Sequence, residues 1–119
     1  VYAMLEKEFG GNHLGCAAAL AVLDVIEEEG LVQNAAEVGE YLMERLRNEN
    51  LPHVVDVRGR GLMIGIEIEG SASEMRKKLL FERHIFTGGA GATTVRLLPA
   101  LTLTREQADI FLKNFKEIL

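Results

Sequence analysis

The chain has 119 residues, 48% hydrophobic and 26% charged, which suits one domain with a buried core and excludes a disordered polar tract. Its 18 acidic and 13 basic side chains leave a net charge of −5, and no stripe of Lys or Arg gives it the electrostatic footprint of a nucleic-acid binder. A single cysteine, Cys16, forms no internal disulfide and reads as a small buried filler in a reducing, cytoplasmic protein. No apolar run reaches the roughly 20 residues that a membrane-spanning helix needs.

In chain order, Val1-Tyr2-Ala3-Met4-Leu5-Glu6-Lys7-Glu8 has neither the length nor the charge order of a signal peptide, and the missing initiator Met reads as the edge of a longer protein. His13 to Glu29 predicts a helix that is apolar nearly all round until its glutamates, with Gly30 as its C-terminal stop. Such a helix is expected to be buried on most sides, and a domain this small does not surround it, so a neighbour is expected. A second helix is predicted from about Leu31 to Asn50, with Leu31, Ala35, Val38, Leu42 and Leu46 on one stripe.

Pro52 closes that connection. Val54 to Arg58 reads as a strand, Gly59-Arg60-Gly61 as a turn or bulge, and Leu62 to Glu69 as a second strand. There Leu62, Ile64, Ile66 and Ile68 share one face, and Met63, Gly65, Glu67 and Glu69 the other. Ser71 with Glu74 has the pattern of a capping box for a short helix to about Glu82 that buries Met75 and Leu79. His84-Ile85-Phe86 predicts a short strand, Gly88, Gly89 and Gly91 a flexible loop, and Thr93 to Leu98 another strand ended by Pro99. Thr104 with Gln107 caps a last helix whose apolar face is Ala108, Phe111, Leu112, Phe115, Ile118 and Leu119. The expected fold is α+β, a small antiparallel or mixed sheet of three to four strands with helices on one face.

Arg96 is the most informative single residue. Alternation sets it opposite Val95 and Leu97 on a short strand, and a guanidinium among apolar neighbours needs either solvent or a planar anion. It is therefore either a structural or surface arginine, or a bidentate clamp for a carboxylate. Phe9-Gly10-Gly11-Asn12 precedes the first helix, where glycines allow a sharp turn and the helix N-terminus favours anions, although most such turns are only turns. Thr87-Gly88-Gly89-Ala90-Gly91 lacks the lysine and hydroxyl of a phosphate-binding loop. Arg58-Gly59-Arg60-Gly61 resembles a phosphate grip but fits better a hairpin or bulge whose arginines face solvent or a neighbouring domain. His13, His53 and His84 have no metal-ligand spacing, and no lysine sits in the apolar setting that Schiff-base chemistry requires. No catalytic residue and no metal ligand is assigned.

Three motifs nevertheless resemble one family in order and spacing. Phe9-Gly10-Gly11-Asn12-His13-Leu14-Gly15-Cys16-Ala17-Ala18 is similar to the segment that begins the C-terminal part of class III, pyridoxal-phosphate-dependent aminotransferases. Arg58 to Glu67 resembles that family's RGxGLxxGIE hairpin, and Arg96 to Leu101 its RxxPxL strand. The likeness runs over residues 9–119 and is greatest to acetylornithine, ornithine and succinylornithine aminotransferases. It implies a cytoplasmic homodimer that moves an amino group from N-acetylornithine, or ornithine or succinylornithine, to 2-oxoglutarate in arginine metabolism. It also implies that Arg96 binds the substrate α-carboxylate and that Phe9, Gly10, Gly11 and Asn12 lie near the cofactor.

The family's His-Gly-Ser-Thr run, whose hydroxyl contacts the cofactor phosphate of the partner subunit, is replaced here by Leu5-Glu6-Lys7-Glu8. Residues 1–8 thus read as an upstream remnant or linker and 9–119 as the small domain, with the large domain as its missing partner. Pyridoxal phosphate is expected in the parent enzyme and not on this chain alone, which is expected to be inactive. A non-catalytic interaction or regulatory module on the same fold is the alternative.

Overall fold

The computed structural model describes residues 11–119, which fall into two compact units, one ending at Val32 and the other running from Gln33 to Leu119. The first carries helix α1 (His13–Glu28). Asn12 caps it: its backbone is extended and its Oδ1 accepts the Gly15 N–H at 2.6 Å, satisfying one of the free donors of the first turn. The predicted stop holds, because Gly30 takes the left-handed φ of +61° and its N–H reaches the Glu27 carbonyl at 3.2 Å. No residue of α1 is buried, and Cys16 is exposed, so the expectation of a buried cysteine is corrected. The reason is physical. A helix apolar on nearly every side is buried only by cover on several sides, and beyond α1 the described residues of this unit hold only the first two residues of the next helix.

Helix α2 (Leu31–Asn48) leads into the second unit, followed by strands β1 (Val54–Arg60) and β2 (Met63–Ile68), helix α3 (Ala72–Arg83), strands β3 (Gly88–Ala90) and β4 (Thr94–Leu97), and helix α4 (Arg105–Ile118). The four strands form one open sheet in the order β1-β2-β4-β3, antiparallel throughout. Alternation decides its faces. Val57, Ile64, Ile66, Ile68, Val95 and Leu97 point inward and are buried with Val38, Leu42 and Leu46 of α2, Leu79 of α3, and Leu112 and Phe115 of α4. All belong to one core, so α2, α3 and α4 cover a single face. Each such side chain contributes about 1.5–3 kcal/mol by leaving water.

Local chemistry sets the element ends. Thr104 and Gln107 form a complete capping box, whereas at α3 the described bonds include only the Ser71 hydroxyl accepting from Glu74 N–H at 3.4 Å. Asn34 anchors the segment before α4 by donating its amide to the carbonyls of Leu101 and Leu103, at 2.7 and 3.0 Å.

Two sequence expectations are corrected. The hairpin turn is shorter than predicted: β1 runs through Arg60, which pairs with Met63, so only Gly61 and Leu62 turn the chain, and Gly61 has a φ of +56°. The short strand is not at His84–Phe86 but at Gly88–Ala90, in the glycine segment expected to be a loop. Gly88 pairs with Arg96, Gly89 with Val95 and Ala90 with Thr94. Small residues suit this edge because arginines fill the space beside it. A Cβ on Gly88 would stand 3.1 Å from Arg96 Nε, and one on Gly89 3.0 Å from Arg76 Nη1. His84 ends α3 in a left-handed conformation, with a φ of +57°, and His84–Thr87 then carry the chain to the edge.

Candidate functional site

The outer face of the sheet has no helix of the core on it, and the register aligns one row across all four strands: Arg58, Gly65, Arg96 and Gly88. The next row holds Asp56, Glu67, Thr94 and Ala90. Two arginines thus stand on one face, separated by a glycine.

Their environments differ. Arg58 Nη1 donates to Asp56 Oδ2 and to Glu67 Oε2, both at 2.8 Å, and Nη2 lies 3.4 Å from Thr94 Oγ1. The bond to Asp56 first, and then that to Glu67, raises its pKa above the usual guanidinium range. Its charge is spoken for within the sheet. Arg96, at the centre of β4, has no hydrogen-bond or ion-pair partner among the described residues, while Val95 and Leu97 on either side are buried beneath it. Its guanidinium lies over Gly88, where an added Cβ would stand 3.1 Å from Nε and 3.3 Å from Nη2, so the missing side chain leaves it that position. An exposed, planar, unpaired guanidinium on a rigid strand can take a carboxylate through two parallel N–H···O bonds.

Beside Arg96 a cleft of about 410 Å³ opens between the end of the sheet and α4. Phe86, Leu98, Ile110 and Phe111 give it apolar walls, and Arg96, Gln107 and the buried Thr87, whose hydroxyl has no partner among the described residues, are its polar side chains. The sequence marked Gln107 and Phe111 for other reasons and did not show that they converge with Phe86 and Leu98. The signal within reach was the apolar pair Ile85-Phe86 one residue before the glycines, which leaves Phe86 with no strand partner to cover it.

The other sequence candidates are placed as follows. Gly11 has a φ of +73° and Asn12 serves as the cap of α1; both lie in the first unit, Arg96 in the second, and Phe9 and Gly10 fall outside the described residues. His53 Nδ1 lies 3.1 Å from Glu69 Oε2 at an exposed position. Among the described residues no group of three His, Cys, Asp or Glu could hold a metal ion, and no helix is long and apolar enough to cross a membrane.

The pyridoxal phosphate that the resemblance implies needs a lysine amine held in an enclosed site. Lys77, Lys78, Lys113 and Lys116 are all exposed, and Lys116 pairs with Glu49. The described residues do not fit the cofactor, and no chemical step is derived through it.

Three comparisons bear on this geometry. The sequence profile of the family described as Aminotransferase class-III matches residues 5–119. An ornithine aminotransferase of Brevibacillus brevis is 41% identical over 111 residues, 93% of this chain and 28% of that protein. Acetylornithine aminotransferase 1 of Bordetella bronchiseptica is 45% identical over 103 residues, covering 85% of this chain and 26% of that protein. The crystal structure of acetylornithine aminotransferase from Elizabethkingia anophelis superposes with a TM-score of 0.81 at 27% identity, over 90% of this chain and 32% of that one. The chain therefore spans little more than a quarter of the length of the curated relatives it matches.

Proposed function

This chain belongs to the class-III aminotransferase family, and we propose that residues 9–119 form the small C-terminal domain of an enzyme that moves an amino group from N-acetylornithine, ornithine or succinylornithine to 2-oxoglutarate. The names of the relatives support the ornithine class of donor. The observation that carries the reading is the Arg96 guanidinium, without a partner among the described residues, on the open sheet face beside an Arg58 already neutralised by two carboxylates. Of the two, only Arg96 has its full charge available for an incoming anion. Its part is to bind the substrate α-carboxylate and fix its orientation; the rigid strand beneath it keeps that geometry from drifting.

The lysine for the cofactor belongs, on this proposal, to a large domain outside this chain, and the parent is a cytoplasmic homodimer that carries pyridoxal phosphate. Alone, the chain is inactive. Residues 1–8 are then a linker or upstream remnant. A second reading, a non-catalytic interaction module, is favoured by one observation, the exposed apolar surface of α1. Titration of the purified chain with pyridoxal phosphate, followed by borohydride reduction and mass spectrometry, tests the inactivity. The expected result is no stoichiometric lysine adduct; a single modified lysine with transamination of an acylated ornithine would overturn it.

A further inference from the structure

We propose that Arg96 and the cleft beside it form one site for a monocarboxylate with an unbranched or aryl tail, a ligand class separate from ornithine-type substrates and in competition with them for the same guanidinium. The proposal rests on the reading of Arg96 as a carboxylate-binding residue and adds a second half to it.

The cleft volume of about 410 Å³ lies within the roughly 300–1,000 Å³ usual for small-molecule sites. Its composition is what an amphipathic anion needs. Among the described residues no Asp or Glu lines it, so none of them there repels a carboxylate or attracts the ammonium end of a diamino acid. The acidic group nearby on α4, Asp109, is turned to α2, where it accepts from Tyr41 and Arg45. Gln107 Oε1 accepts the Thr104 N–H at 3.0 Å, and among the described residues the Gln107 NH₂ has no acceptor. Arg96 and Gln107 thus place donors without a partner among the described residues on a cleft that also holds the Thr87 hydroxyl and is otherwise walled mainly by hydrocarbon. Phe86 at 83%, Leu98 at 61% and Ile110 at 59% exposure are the apolar surfaces that a tail would take from water.

The test is a titration of the ¹⁵N-labelled chain with acetate, butyrate, hexanoate, octanoate and 1-octanol. Affinity is expected to tighten about threefold per added methylene, with shifts at Phe86, Leu98 and Ile110. Arg96→Gln should weaken octanoate about tenfold and leave 1-octanol unchanged. Phe86→Ser and Ile110→Asn, both at exposed positions, should flatten the dependence on chain length. Equal affinity from acetate to octanoate, lost in Arg96→Gln, would overturn the cleft while the clamp stands. Length-dependent affinity indifferent to Arg96 would overturn the joining of the two, and no binding of any carboxylate would overturn the clamp as well.

Discussion

Gly39 of α2 packs directly on Gly61 in the β1–β2 turn: a Cβ at position 39 would fall 2.0 Å from the Gly61 carbonyl oxygen. Helix and hairpin meet backbone to backbone, which accounts for a glycine in the interior of an 18-residue helix, where it otherwise costs about 1 kcal/mol relative to alanine. Gly39→Ala should therefore destabilise the second unit by about 2 kcal/mol despite its better helix propensity. Urea denaturation measures it; a variant as stable as the parent or more so would show that the contact opens without cost.

Tyr41 O–H donates to Asp109 Oδ1 at 2.5 Å, and Arg45 Nη1 donates to the phenolic oxygen at 2.7 Å. The bond to Asp109 dominates and raises the phenol above its ordinary 10.0. A raised folded-state value means that the stabilising increment is fully present below pH 10 and is lost as pH rises through the higher value. In a Tyr2→Phe background, Asp109→Asn should lower the tyrosinate midpoint read by ultraviolet absorbance. An unchanged midpoint would remove Asp109 as the cause.

Helix α1 exposes Leu14, Leu20, Val22, Leu23 and Val25, too much apolar surface for a lone helix in water. The purified chain should self-associate in a concentration-dependent way by analytical ultracentrifugation, and Leu20→Glu with Leu23→Glu should return it to monomer. A parent chain that is monomeric across the whole range would count against this.

What the sequence makes legible follows the range of the forces involved. The alternation of Ile64, Ile66 and Ile68 and the cap at Thr104 are local patterns with local causes, and both stand in the structure. The edge strand at Gly88–Ala90 was illegible because glycines carry no side-chain pattern and its pairing partner lies on a different strand. The exposure of Cys16 was missed for the opposite reason: an apolar neighbourhood in sequence signals burial only when something covers it. Arg96 was legible by type and alternation. That Arg58 is neutralised and Arg96 is not depends on the register of β1, β2 and β4, which residue types alone do not reveal.

The most direct measurement of the central claim is a graft of residues 9–119 in place of the matching segment of the Brevibacillus brevis ornithine aminotransferase, assayed with and without Arg96→Gln. The account predicts an active chimera whose kcat/KM for the amino donor falls about a hundredfold on loss of the guanidinium, while cofactor absorbance is retained. A folded, active chimera indifferent to Arg96→Gln would contradict it.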